Sequence, residues 1–333
     1  MAKPKIALVG CGAVAQLHQM VVDQTGRAEI AAFCDKNLER AKELASKRPG
    51  ALATDDYREL IGKVDAAIVA LPHHLHAPIG SELLRGGVHV LVEKPMAMSV
   101  AECDQMIEAA AFSGATLAVG VARRFYDASF VVKELLDNGA IGKLVSFEGR
   151  DGAVYSWPVA SDFMFRKDAG GGVLADTGAH VLDRLVYWLG DHESVTYYHD
   201  ADGGVEAECE LHLTMQGGAK GVVTLSRLRD LDNRWILRGE KGEIEVETKF
   251  APKVTLRMGG KPYALGDEVQ RDTGLAEDPL DCFCGSFNEF VDAFEQGRAP
   301  IHSGKEGRRS VALIEACQAN PHQLQRDWEA WSA

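Results

Sequence analysis

Asp176 and His180 stand four residues apart in Gly171-Gly172-Val173-Leu174-Ala175-Asp176-Thr177-Gly178-Ala179-His180. The stretch opens on glycine and runs on into a helical pattern of Val181, Leu182, Leu185, Val186, Trp188 and Leu189. Residues four apart on a helix project from one face, so the spacing predicts a carboxylate beside an imidazole. That neighbour would raise the histidine's basicity and fix its orientation, which suits a general base near neutral pH. The glycines would let another chain segment or a ligand approach the backbone closely. An acid at a helix N-terminus followed by a half-buried, satisfied histidine is the alternative, and this stretch alone leaves it open. A second candidate is Lys94, held by Pro95 in Glu93-Lys94-Pro95. A lysine fixed in that way can donate a proton to an oxygen beside a bound cofactor, or simply pair with Glu93 at the surface.

The cofactor itself is indicated near the start of the chain. Gly10-Cys11-Gly12-Ala13-Val14-Ala15 follows the strand-like run Lys5–Val9 and has the G-x-G-x-x-G/A form of a dinucleotide fingerprint. Gly10 allows the tight turn, Gly12 admits a pyrophosphate to the amides of Ala13 and Val14, and Ala15 permits close helix–strand packing. The helix N-terminus favours the phosphate charge. Asp35 closes the next strand, Glu29–Cys34, about twenty residues further on. It can accept hydrogen bonds from a ribose and would repel a 2′-phosphate, which favours NAD over NADP. Alternatively it caps a helix starting near Leu38.

These groups need a scaffold, and the pattern around them supplies one. Helical stretches at Leu38–Lys47, Asp55–Ile61, His76–Arg85 and Ser99–Phe112 alternate with strands at Asp65–Leu71, Val88–Val92 and Thr116–Val119. Ser99 with Glu102 reads as a capping box. The alternation predicts a doubly wound parallel sheet, whose ligands bind beyond the carboxyl ends of the strands. That rule selects Gly10–Ala15, the segment Leu71-Pro72-His73 to His76, and Glu93-Lys94-Pro95 as cofactor contacts. The spacing of His73, His74 and His76 fits no usual tetrahedral metal set, and no metal is expected.

Three signatures now stand in order: the glycine fingerprint, Glu93-Lys94-Pro95 and the run Gly170 to His180. Together they resemble the glucose–fructose oxidoreductase/inositol dehydrogenase/MocA family of NAD(P)-dependent sugar and polyol oxidoreductases. Val119-Gly120-Val121-Ala122-Arg123-Arg124-Phe125, Asn138 to Lys143 and Gly304-Lys305-Glu306-Gly307 continue the match. The resemblance implies Lys94, Asp176 and His180 as catalytic residues, with His180 as acid/base in hydride transfer, Arg123 near the substrate, and a Lys94–Pro95 bond that is often cis. Two positions depart from the family pattern: Leu71-Pro72-His73 replaces threonine–proline–asparagine, and Ala122 replaces a methionine.

After a helix at Ser129–Asn138, closely spaced strand-like runs appear from Leu144 to Arg257, with turn signals at Gly217-Gly218 and Lys241-Gly242. Strands this close cannot be parallel crossovers, so a mainly antiparallel sheet is expected, one face on helices and the other at an oligomer interface. The domains expected are 1–122, a Rossmann NAD-binding unit, and 123–333, an α+β unit for substrate binding and oligomerisation. Tyr155 and Trp157, with Pro158, Phe163 and Phe165, precede the glycine run and suit the apolar face of a sugar. Arg166 and Lys167, with Arg227 and Arg229, can receive an anionic group or remain solvated.

The composition sets limits. The chain has 333 residues, 46% of them apolar and 26% charged, and a net charge of −13, which argues against nucleic acid or an anionic membrane as partner. No run of about twenty apolar residues exists to span a membrane. Seven scattered cysteines and a glycine-broken apolar stretch at the N-terminus point to the cytoplasm. The reading is a homodimeric or homotetrameric NAD-dependent dehydrogenase of a sugar, cyclitol or related polyol. A redox-neutral lyase, glycosidase or epimerase that retains NAD, and an NAD-responsive sensor, remain as alternatives.

Overall fold

The computed structural model describes residues 2–156, 162–248, 253–259, 261–264 and 279–325. Its first sheet comprises β1 (Lys5–Val9), β2 (Glu29–Cys34), β3 (Leu52–Thr54), β4 (Ala66–Val69), β5 (His89–Glu93) and β6 (Leu117–Gly120). All its pairings are parallel, in the order β3-β2-β1-β4-β5-β6. That order reverses between β1 and β4, which opens a crevice at their carboxyl ends. The continuous apolar runs follow from burial on both faces: every residue of β4 and β6 is buried.

One face carries α3 (His76–Arg85) and α4 (Val100–Ser113), with Leu83, Leu84 and Met106 packed on Val69, Val90 and Val92. α1 (Ala13–Thr25) lies on the other face, while α2 (Leu38–Ala45) follows β2. α4 is capped by Ser99, whose hydroxyl accepts from Glu102 N at 3.2 Å. The Glu102 carboxylate accepts from Met98 N at 2.8 Å, so only half of the expected box lies within Ser99–Glu102.

α5 (Asp127–Asp137) leads into the second sheet through β7 (Leu144–Gly152), and α6 (Thr177–Leu189) follows. The other strands are β8 (His192–His199), β9 (Glu208–Met215), β10 (Lys220–Ser226), β11 (Arg234–Gly239), β12 (Gly242–Glu247), β13 (Val254–Met258) and β14 (Lys261–Ala264). α7 (Pro279–Gln296), α8 (Gly304–Ala319) and β15 (Pro321–Gln323) close the chain. The order is β14-β13-β12-β11-β7-β10-β9-β8-β15, antiparallel except for β7–β10 and β8–β15. α5, α6 and α8 cover one face, where Leu182, Leu185 and Leu313 meet Leu211, Val223 and Trp235. Among the described residues the other face is uncovered and forms a polar groove lined by Glu148, Arg150, Thr196, Glu210, His212 and Thr224 among others.

α7, which sequence patterning did not reveal, returns to the first sheet and packs Phe287, Phe290 and Val291 beside Val21 and Val22 of α1. Chain from beyond residue 279 therefore completes the core of the amino-terminal unit. Gly304-Lys305-Glu306-Gly307 forms the first turn of α8.

Candidate active site

The glycine turn fits a dinucleotide. Gly10 has φ +99°, and a Cβ there would lie 2.2 Å from Ala70 O, so only glycine lets β1 turn against β4. Gly12 is the extended N-cap of α1 and supplies no side-chain cap, and no acid stands in the first turn. Amides and the positive helix end are thus left for an anion. Asp35 Oδ2 accepts from Cys11 N at 2.8 Å and Oδ1 from Asn37 N at 2.8 Å. The cap of α2 is Asn37, which accepts from Glu39 N at 3.2 Å, so the alternative of Asp35 as cap is not adopted.

At the end of β5 the Lys94–Pro95 bond is cis. Glu93 is buried, with Oε1 2.8 Å from His18 Nε2 and Oε2 accepting from Lys94 N at 3.2 Å. The Lys94 ammonium does not pair with it. Burial would raise the Glu93 carboxyl, but His18 and Lys94 outweigh that and hold it below its ordinary value. His76, expected at the cofactor, is wholly buried instead, its Nδ1 2.8 Å from Pro95 O and its Nε2 2.8 Å from Leu71 O. It ties two strand ends together and has no surface left for a ligand. His73 is buried also, its Nδ1 2.8 Å from Gly170 O and its ring edge-on to Phe163. Burial drives His73 down to about 3 and lowers His76, so both rings are neutral.

Lys94 Nζ reaches across to the second unit, donating to Asp176 Oδ1 at 2.7 Å and Asp176 O at 3.1 Å. Arg227 Nη2 donates to the other carboxylate oxygen at 2.9 Å and stacks over the Tyr155 ring at 4.9 Å. Burial would raise the Asp176 carboxyl, yet Lys94 and Arg227 hold it at about 2. The expected Asp176–His180 pair does not form. Asp176 is the residue before α6, with φ −91° and ψ −80°, so the four-residue spacing does not put it on the face of His180. Its carboxylate turns to the two cations. His180 is half-buried, and its Nδ1 has no partner among the described residues. Burial, with Lys94, Arg123 and Arg184 nearby, lowers the imidazole well below 6.5, the reverse of the predicted shift.

The glycine run serves the chain rather than a ligand. Gly172 has φ +110°, and a Cβ there would lie 2.3 Å from Glu206 Oε1, whose carboxylate accepts from Leu174 N at 2.9 Å. Arg123 Nη1 donates to Asp151 at 2.7 Å. Arg166, predicted as a substrate contact, stays exposed and pairs with Asp168, and Arg229 pairs with Glu208. Tyr155 lies beside Asp176 and Arg227, and its hydroxyl is buried without a partner among the described residues. Trp157 and Pro158 lie outside the described residues.

Sequence reasoning missed His18, Asp151 and Arg184. The periodicity of α6 offered one signal: Arg184 stands one turn after His180, at a position otherwise apolar. Arg184 is 1% exposed, and burial beside Arg123 lowers its guanidinium to about 10.

Residues 4–121 match the model of an oxidoreductase family with an NAD-binding Rossmann fold, and residues 131–245 match the GFO/IDH/MocA C-terminal domain. The chain belongs to the Gfo/Idh/MocA oxidoreductases. It is 30% identical over 275 residues to a trans-1,2-dihydrobenzene-1,2-diol dehydrogenase of Mus musculus, covering 78% of this chain and 81% of that one. It is 27% identical over 332 residues to the myo-inositol 2-dehydrogenase of Thermotoga maritima, with 93% of each chain covered. Among solved structures, an aldose–aldose oxidoreductase from Caulobacter crescentus complexed with glycerol superposes with a TM-score of 0.82 at 25% identity. That match covers 95% of this chain and 97% of the other. The chain is thus an NAD-binding oxidoreductase.

Proposed function

We propose that the protein oxidises a secondary hydroxyl of a sugar, cyclitol or related polyol, or reduces the corresponding ketone, with Lys94, Asp176 and His180 as its catalytic residues. The observation that carries this reading is the 2.7 Å bond from Lys94 to Asp176, which joins the ends of β5 and the start of α6 in front of the dinucleotide crevice. NAD, when bound, supplies the hydride acceptor. His180, neutral among cations, accepts the hydroxyl proton. Lys94, oriented by Asp176, stabilises the negative charge that develops on the reacting oxygen. Arg123 and Tyr155 border the substrate, and Gly10, Gly12, Ala13, Val14, Ala15, Asp35, Leu71 and Pro72 hold the cofactor. Asp35 supports NAD over NADP.

The functional division falls at 122/123, with α7 returned to the first unit. The polar outer face of the second sheet is the homodimer or homotetramer contact; sedimentation of a Glu148→Lys variant tests it. Seven free cysteines support a reducing, cytoplasmic location. The activity is tested with cyclitols, free sugars and sugar acids, reading the reduced-nicotinamide absorbance with NAD and with NADP. Reduction of NAD by at least one of them, faster than of NADP, is expected. No reduction by any, with NAD bound, would overturn the reading.

A further inference from the structure

Arg184 is a fully buried arginine whose binding edge is bare. Its Nε and Nη2 are both buried without a hydrogen-bond partner among the described residues. These two nitrogens form the edge of a guanidinium that holds a carboxylate with two parallel bonds. This chain uses that same edge elsewhere: Arg124 donates from Nε at 3.0 Å and from Nη2 at 2.5 Å to Asp183. No carboxylate of the described residues meets this edge. The acids whose charge acts on it are Asp151 and Asp183, and these are bonded to Arg123 and Arg124. The guanidinium carbon lies 5.6 Å from the Trp188 ring, and that contact leaves the N–H edge unpaired.

The position of this edge matters. Arg184 follows His180 by one helical turn, and its charge, with that of Arg123, acts on the imidazole. Further orphan polar atoms belong to the same site: His180 Nδ1, the Tyr155 hydroxyl and Arg227 Nε. Donors dominate this set. A buried cation without a counter-charge is costly, whereas a ligand carboxylate would satisfy both nitrogens at once.

Resting on the dehydrogenase reading, we infer that the substrate is an anionic sugar, of the uronic or aldonic acid class, whose carboxylate is received by the Nε/Nη2 edge of Arg184 with Arg123 beside it. Neutral polyols lack the group that this edge requires. The planar two-oxygen acceptor matches the fork, and the arginines expected to receive anions, Arg166, Arg227 and Arg229, are each bonded to a carboxylate of the protein itself.

The test uses matched pairs, glucose with glucuronate and galactose with galacturonate. Each is titrated calorimetrically into the NADH-loaded wild type and assayed for NAD reduction. The acid should bind more tightly and give a higher kcat/KM by roughly tenfold to a hundredfold, the range for a hydrogen bond to a charged group. Arg184→Gln should collapse the acid-to-neutral ratio towards one. Equal handling of acid and neutral sugar by the wild type, or no binding of either acid, would overturn the inference, as would an Arg184→Gln variant that keeps the ratio. Should Arg184→Gln fail to fold, the wild-type ratio alone decides. The two readings fail separately: a neutral sugar oxidised as well as its acid removes the carboxylate site and leaves the dehydrogenase. Acid binding without oxidation of any sugar does the opposite.

Discussion

Two arginines of similar burial, Arg184 on α6 and Arg124 in the turn after β6, differ in almost everything else. Arg124 is 1% exposed and bonded to Asp183, to Ile301 O at 2.8 Å and to Glu306 at 3.3 Å. On α6 itself, Arg184 is equally buried and has two nitrogens without a partner among the described residues, one turn from the half-buried His180 with an orphan of its own. Burial with full satisfaction is what a structural ion pair requires, because each lost partner leaves an uncompensated charge. Burial without satisfaction costs stability, and beside the candidate site it leaves groups that a ligand can satisfy. His76 and Glu93 fall on the satisfied side of this division, and His180, Tyr155 and Arg184 fall on the other.

The contrast can be broken most forcefully at Arg124. Arg124→Met should cost about 3–5 kcal/mol, the loss typical of breaking a buried pair, read as a shift in the urea midpoint. Arg184→Met, which removes a guanidinium edge that no group of the described residues bonds, should cost far less or even stabilise. Equal losses at both positions would dissolve the distinction. Next in size is Lys94→Ala, expected to lower kcat by at least about a hundredfold, the lower end for acid–base groups. NAD binding should persist, since Lys94 bonds Asp176 rather than the glycine turn; loss of NAD affinity with kcat intact at saturation would make it a cofactor contact. A smaller effect should come from Asp35→Ala. Both oxygens of Asp35 already hold amides, so the substitution both loosens the turn and removes the ribose acceptor. NAD should weaken by roughly tenfold, about one charged hydrogen bond, and the NAD:NADP preference should narrow. An unchanged preference would leave Asp35 a purely structural residue.

Much of this was legible from residue pattern. The parallel sheet followed from apolar runs between helices, and the antiparallel one from strands too close for crossovers. The fingerprint placed Gly10 and Asp35 together because a strand–turn–helix unit is local. What could not be read was set by long-range geometry. The spacing of Asp176 and His180 implied a shared helical face, but Asp176 is the residue that ends the loop, and Lys94, 82 residues away, captures its carboxylate. The sign of the His180 shift reversed for the same reason: its electrostatic neighbours come from β5, from the turn at Arg123 and from its own helix. α7 was missed because its partners lie on α1 and the first sheet, far earlier in the chain. Trp157 lies outside the described residues.

The central claim is that His180 works as a neutral base inside a cationic ring of Lys94, Arg123 and Arg184, and the pH dependence of alcohol oxidation tests it most directly. A base must be unprotonated to accept the hydroxyl proton, so the rate falls only below its pKa. Because burial and the three cations lower that pKa well below 6.5, wild-type kcat should show no histidine limb between pH 6 and 8, roughly the range in which an unperturbed imidazole titrates. The rate should decline only at lower pH, and His180→Ala should remove that decline together with most of the rate. A wild-type limb at or above pH 6.5 that disappears in His180→Ala would mean that Asp176 does raise the imidazole. A His180→Ala variant with the parent's profile would mean that the proton leaves by another route.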